Sequence, residues 1–199
     1  MSSYYMGLTD KIFRKVTFSE GQKLSKLPLE RRRYMQNPKQ IFASTLKYLR
    51  YKHHFSQEKL VIQMQIRGST ITREVYKFIE SGSGNIKVFD LVILKNIYRI
   101  PYSDFFVGLS PATLPRTSIT MLLRHPTFTD NLALLRTSHE YTQQQLTDAM
   151  NEMGTFIHRA AYANIERGKR NLKVTDLVCL KTIYNVPYEA FFEGIKIHE

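Results

Sequence analysis

The chain repeats itself. Sliding the 199-residue sequence against itself gives one clear register at an offset of about 86 residues, and that register limits every reading of the fold. Leu46, Leu49-Arg50, Gln57, Leu60, Met64, Gly68, Ile71, Arg73 and Tyr76 meet Leu132, Leu135-Arg136, Gln143, Leu146, Met150, Gly154, Ile157, Arg159 and Tyr162. Downstream, Ile79-Glu80, Gly82, Asn85, Lys87-Val88, Asp90-Leu91-Val92, Leu94-Lys95, Ile97-Tyr98, Pro101-Tyr102, Phe105-Phe106 and Gly108 recur from Ile165-Glu166 to Gly194. About 30 of about 69 positions are identical without a gap, so the chain holds two copies of one unit. A fainter echo precedes each copy, where Leu-Pro, a short stretch and then Asn37-Pro38 or His125-Pro126 lead into Phe42 or Phe128. Each unit is therefore expected to open with an extra short helix. The expected organisation is a basic amino-terminal extension (1–26), a first domain (27–109), a connector (110–116) whose serine and prolines favour extended backbone, and a second domain (117–199).

Each copy has the helical period. Phe42, Leu46 and Leu49 fall at i, i+4 and i+7, as do Phe128, Leu132 and Leu135, which makes an apolar stripe. Ser56 and Thr142 sit where a second helix needs an N-cap, and Thr142 with Gln145 has capping-box spacing. Gly82 and Gly168 stand where a third helix should stop. Val88, Leu91, Leu94, Ile97 and Tyr98, with Val174, Leu177, Leu180, Ile183 and Tyr184, form the buried face of a fourth, ended by Pro101 or Pro187. A last helix carries Phe105-Phe106 or Phe191-Phe192, and Tyr188, Phe191 and Phe192 suit either a core or an interface. No alternating strand of convincing length is visible, so the expected fold class is all-α, two tandem bundles of about five short helices.

Charge narrows the partner. The formal net charge is +12, with roughly +6 on residues 1–40, roughly +5 on 41–109 and about −1 on 127–195. Such a balance favours a polyanion, because lysines and arginines release condensed counterions from phosphates. Cys179 is the single cysteine and lies in an apolar stretch, so no disulfide closes within the chain and a reducing, cytoplasmic setting is expected. No apolar run approaches about 18 residues and the amino terminus lacks a signal-peptide core, so no membrane role is expected. The histidines are scattered without metal spacing, and no phosphate loop, Gly-x-Ser-x-Gly or Cys-x-x-Cys occurs. The expectation is no enzyme, no metal and no cofactor.

The second copy resembles the phage-repressor-like (Cro/CI-type, or XRE) helix-turn-helix family. The resemblance rests on a leucine-arginine ending helix one, YTQQQL at 141–146, AYANIERGKRN at 161–171 and KVTDLVCLKTIYNVPYEAFF at 173–192. Through the internal match it extends to Leu49-Arg50, FSQEKL and VYKFIESG in the first copy. It implies two lambda-repressor-like bundles and a sequence-specific regulator of transcription, a repressor, acting on double-stranded DNA in a bacterial or phage setting. In that motif a second helix crosses the DNA backbone while the third enters the major groove, where base edges carry a readable donor and acceptor code.

The resemblance assigns roles residue by residue. Gln57 and Gln143, opening helix two, would donate to phosphate, aided by the helix dipole. Tyr76, Ile79, Tyr162 and Ile165 would face the core. The exposed readers would be Thr72, Arg73, Lys77 and Phe78 in the first copy and His158, Arg159, Ala163 and Asn164 in the second. Arginine's planar fork suits guanine, and Asn164 suits adenine. Lys169 and Arg170 would meet phosphate, whereas Ser83 and Gly84 replace them in the first copy. Arg31, Arg32 and Arg33 could grip phosphates or enter a minor groove, or form a solvated face. His53 and His139 follow Leu-Arg at a helix end, which suits capping or phosphate contact.

The family pattern is not followed throughout. From Leu60 to Glu80 and from Leu146 to Glu166 the spacing is about five residues longer than usual, so the turn is expanded or helix two extended. A head-to-tail repeat leaves open direct or inverted half-sites, and also whether two chains form a homodimer through the aromatic last helices. The competing reading is a protein-binding module, such as an antitoxin or phage-encoded inhibitor, using one unit for a regulatory protein partner. Structured RNA is a third, without the aromatic sheet or glycine loop of common RNA modules.

Overall fold

The computed structural model describes residues 38–110 and 121–197. The amino-terminal extension, Arg31 to Arg33 and most of the connector lie outside them. The chain is mostly helical, and equivalent elements follow each other at the offset of the repeat. In the first copy these are α1 (Pro38–Lys52), α2 (Gln57–Ile66), α3 (Arg73–Glu80), β1 (Ile86–Lys87), α4 (Val88–Tyr98) and a 3-10 turn (Tyr102–Phe105). After β2 (Met121–Leu123) the second copy supplies α5 (Pro126–Ser138), α6 (Gln143–Glu152), α7 (Arg159–Glu166), β3 (Leu172–Lys173), α8 (Val174–Tyr184) and α9 (Glu189–Phe192).

Local chemistry explains the boundaries. The Ser56 hydroxyl accepts from the Lys59 amide at the start of α2. At α6 the capping box is complete: the Gln145 amide donates to Thr142 Oγ1 at 3.2 Å, and the Thr142 amide donates back to Gln145 Oε1 at 2.9 Å. Helices α4 and α8 stop two residues before their prolines, at Arg99 and Asn185, which adopt left-handed backbone with φ of 53° and 52°. The six residues between α2 and α3 absorb the extra spacing as a firm turn. Gly68 and Gly154 both take φ of 93°, a conformation that a Cβ would strain. Ile71 and Ile157 plug the turn into the core. Asn151 grips Ile157 on both sides, donating from Nδ2 to its carbonyl and accepting its amide at Oδ1, each at 2.9 Å. Gln65 makes only the first of these bonds, to Ile71.

Two expectations are met only in part. The all-α reading misses a small three-stranded sheet in the order β1-β2-β3. Its strands are two or three residues long, too short to show alternation, and they form because a partner from the other copy is at hand. Of the stretches expected to carry an extra helix before each copy, the one before the second is described only from residue 121, where it forms strand β2 ahead of α5, and the one before the first lies outside the described residues.

That sheet reveals how the copies are related. Strand β2 pairs parallel with β1 and antiparallel with β3, so β1 and β3 run in opposite directions about it. Leu122 lies opposite Ile86 on one side and Leu172 on the other, and these two are equivalent in the repeat. Lys87 and Lys173, also equivalent, flank Leu123 and Met121. Leu122 thus marks a pseudo-two-fold axis. The carboxy-terminal elements obey the same symmetry: Tyr102 stacks on Phe192 at 4.0 Å and Tyr188 packs on Phe106 at 4.5 Å between ring centroids. A pairing in which i meets j and the equivalent of j meets the equivalent of i is isologous. Phe105 and Phe191 turn instead into the cores of their own copies, and the buried Cys179 fills the second core. Burial pushes the Cys179 thiol up to about 12.

A buried carboxyl distinguishes the two cores. The Ser69 hydroxyl donates to Asp90 Oδ1 at 2.6 Å, but the equivalent Thr155 hydroxyl reaches Asn151 instead. Burial raises both carboxyls, and Asp176 is pushed up to about 6 despite Lys173 nearby. A carboxyl whose proton is held more tightly folded than unfolded gives stability that is present at low pH and lost as pH rises between about 4 and about 6. Asp176→Asn is expected to abolish that fall and to be on the order of 2 kcal/mol more stable than the parent at pH 7. Denaturation midpoints across pH 3–8 would check it; parallel curves for both proteins would refute the assignment.

Candidate nucleic-acid interface

Each candidate reader helix is anchored from beneath by a buried ion pair. Arg50, at the end of α1, donates from Nε to Glu80 Oε1 at 2.7 Å and from Nη2 to Oε2 at 3.0 Å. Its Nη1 donates to the Phe55 carbonyl at 2.9 Å. Arg136 repeats this arrangement on Glu166 and Tyr141. The last residue of α3 or α7 is thereby tied to the last turn of α1 or α5. Burial lowers the Arg50 pKa, but the hydrogen bonds and charge of Glu80 outweigh it, so the guanidinium stays charged. Thirty residues separate the partners, and no local sequence signal announces the pair.

The glutamines expected on phosphate complete these networks. Gln57 Nε2 donates to Glu80 Oε2, and Gln143 Nε2 to Glu166 Oε2, each at 2.8 Å. Each amide nitrogen keeps a second proton, and both residues are half-buried, so the side chains are held in one orientation at the amino terminus of helix two. The helix-end histidines behave similarly in part: His139 Nδ1 lies 2.8 Å from the Leu135 carbonyl, a capping contact, while His53 stacks on Tyr98.

On α3, Tyr76 and Ile79 enter the core, while Arg73, Lys77 and Phe78 are exposed. Thr72 is exposed too, but its hydroxyl caps α3 by accepting from the Val75 amide at 3.3 Å. On α7, Tyr162 and Ile165 are buried, His158 and Arg159 are exposed and Asn164 is half-buried. Ala163 is a correction: at 5% exposure it cannot read anything. Helix α7 packs on both α5 and α6, so its buried arc is wide enough to cover a side chain as short as alanine. Lys77, at the equivalent place, reaches past the same arc on its long stem.

Beyond α7 the basic turn is well fixed. The amides of Lys169 and Arg170 both donate to the Asn164 carbonyl, at 2.8 and 3.0 Å, leaving the two side chains exposed. Arg124 joins them. Leaving β2, it donates from Nη1 to the Gly168 carbonyl at 2.7 Å, and its amide donates to Asn171 Oδ1 at 3.2 Å. Arg124 precedes the matched repeat, so neither register nor motif could place it beside this turn. Among the described residues no cation joins the corresponding turn of the first copy, where Gln40 donates to the Ser81 carbonyl.

The result is two exposed helix faces of different chemistry, related by the pseudo-two-fold. The second offers Arg159, Asn164, Lys169, Arg170 and Arg124. The first offers Arg73 and Lys77 beside Val75 and Phe78, which are 48% and 56% exposed. No helix among the described residues is long and apolar enough to cross a membrane. Comparison with protein-family models, with curated proteins and with solved structures returns no match.

Proposed function

We propose that this chain is a sequence-specific regulator that binds double-stranded DNA through two helix-turn-helix units of the lambda-repressor-like type. The supporting observation is the isologous pairing of the copies about Leu122, with an anchored, arginine-bearing helix exposed in each. A DNA duplex carries its own two-fold axes, and a pair of readers related by a two-fold matches them with inverted half-sites. Direct half-sites would need a translation that this pairing does not provide. Because the two faces differ, the half-sites differ as well, and one chain serves as both readers. The aromatic faces that could have joined two chains are buried between the copies.

The reading is tested by selecting sites from a random duplex library with the full chain, then comparing the winner with a scrambled duplex at two salt concentrations. Two inverted, unequal half-sites bound at one chain per duplex are expected. Binding that ignores sequence and vanishes with salt would reduce the activity to charge alone. At the winning site, Arg159→Ala should cost about 1–3 kcal/mol and relax preference at one base position, whereas Lys169→Ala should weaken all sequences alike. Equal small effects of Arg159→Ala on every sequence would remove its reader role. The exposed Ile62 and Ile66 of α2, where the second copy has Asp148 and Glu152, favour the second reading of a protein partner. Salt-insensitive capture of a protein, without sequence preference on DNA, would establish that reading instead.

A further inference from the structure

We infer that Phe78 and Val75 read the C5-methyl groups of thymines in the half-site that faces the first copy; this rests on the DNA reading proposed above.

Three observations carry it. Both side chains project from the exposed side of α3 and keep about half of their surface in water, whereas the equivalent residues of α7 are Ala161 and Asn164. A large apolar group left in water on a presented helix gains only when something covers it. Next, the phenyl ring is not a loose surface residue. A Cβ built on Gly84 would lie 2.9 Å from Phe78 Cδ1 and 3.0 Å from the Ile79 amide nitrogen, so the ring edge rests where only glycine leaves room. The Gly84 amide also donates to the Phe78 carbonyl, at 2.9 Å. In the second copy both partners change together, to Asn164 and Arg170. One copy thus pairs a polar reader with a phosphate-type cation, and the other pairs an aromatic ring with the glycine that seats it.

Lastly, the surroundings select the occupant. The apolar pair shares the exposed side of α3 with the cations Arg73 and Lys77, which stand one turn apart on one flank, and with Glu74, the acid of the first turn. A nucleic-acid groove offers phosphates at its rims and, on thymine, an apolar methyl at its floor, so one helix face that carries both cations and apolar side chains suits it. Thymine is the base whose major-groove edge an aromatic or aliphatic side chain can read.

The test uses the full chain and its selected duplex, resynthesised with deoxyuridine in place of thymine in one half at a time. Uracil lacks only the methyl. Each replaced thymine under Phe78 or Val75 should weaken binding about three- to fivefold, the value of one covered methyl. Those positions should lie in the half whose preference Arg159→Ala leaves intact. Phe78→Ala should bind the thymine and uracil duplexes with a ratio nearer one, and Gly84→Ala, which displaces the ring, should shift the ratio the same way. Equal affinity of the parent for both duplexes, methyl sensitivity confined to the other half, or full sensitivity retained in Phe78→Ala would overturn the inference while leaving sequence-specific binding intact. Absence of any selected site would overturn the DNA reading itself.

Discussion

Glu80→Ala is expected to destabilise the chain by about 3–5 kcal/mol, because it leaves the Arg50 guanidinium buried without its counter-charge. The Arg50 and Glu80 side chains are 5% and 3% exposed, and the carboxylate accepts three hydrogen bonds, two from Arg50 and one from Gln57. Water cannot replace them without opening the contact between α1 and α3. The matching change in the second copy, Glu166→Ala, should cost less, since Arg136 is 15% exposed and can recover some hydration. Replacing both partners of the first pair with apolar residues, Arg50→Met with Glu80→Leu, should recover much of the loss. Chemical denaturation of the three variants would check the ranking. A loss under about 1 kcal/mol for Glu80→Ala would mean that the arginine finds another partner.

Leu122→Ala is expected to cost about 2–5 kcal/mol, the usual range for emptying a fully buried leucine site. Its distinctive effect should be on cooperativity. Leu122 touches both copies through Ile86 and Leu172, so a void there weakens the joint rather than either bundle. Thermal unfolding, expected as a single transition in the parent, should broaden or divide in the variant, as the halves begin to melt separately. One sharp transition at an unchanged temperature would show that the stacked Tyr102–Phe192 and Phe106–Tyr188 pairs hold the halves together unaided.

The helices were legible in the sequence because their information is local and duplicated. Apolar spacing, Ser56 and Thr142 as caps, and Gly82 and Gly168 as stops all act within a few residues, and each signal occurs twice. The relation between the copies was not legible. A repeat offset is a distance along the chain, and it carries no information about the rotation that superposes two bundles. That rotation is set by pairings such as Leu122 with Ile86 and Leu172, made through backbone groups that every strand carries. The site was legible to the same limit. Arg73 and Arg159 fall on exposed faces as spacing suggested, but Ala163 does not, because helical periodicity locates a face and neighbouring helices decide how wide the buried arc is. Arg124 needed the fold itself, since its partner Gly168 is 44 residues away.

The joint at Leu122 also changes how the molecule responds to its own abundance. Two separate chains must meet before they can act as a pair, and on dilution the paired fraction falls with concentration. Here the partner is always at hand at the effective concentration set by the connection, so dilution cannot part the halves. Separate copies made from one gene are also obliged to stay identical. Fusion removes that obligation, and the exchange of Phe78 and Gly84 for Asn164 and Arg170 is the divergence it permits.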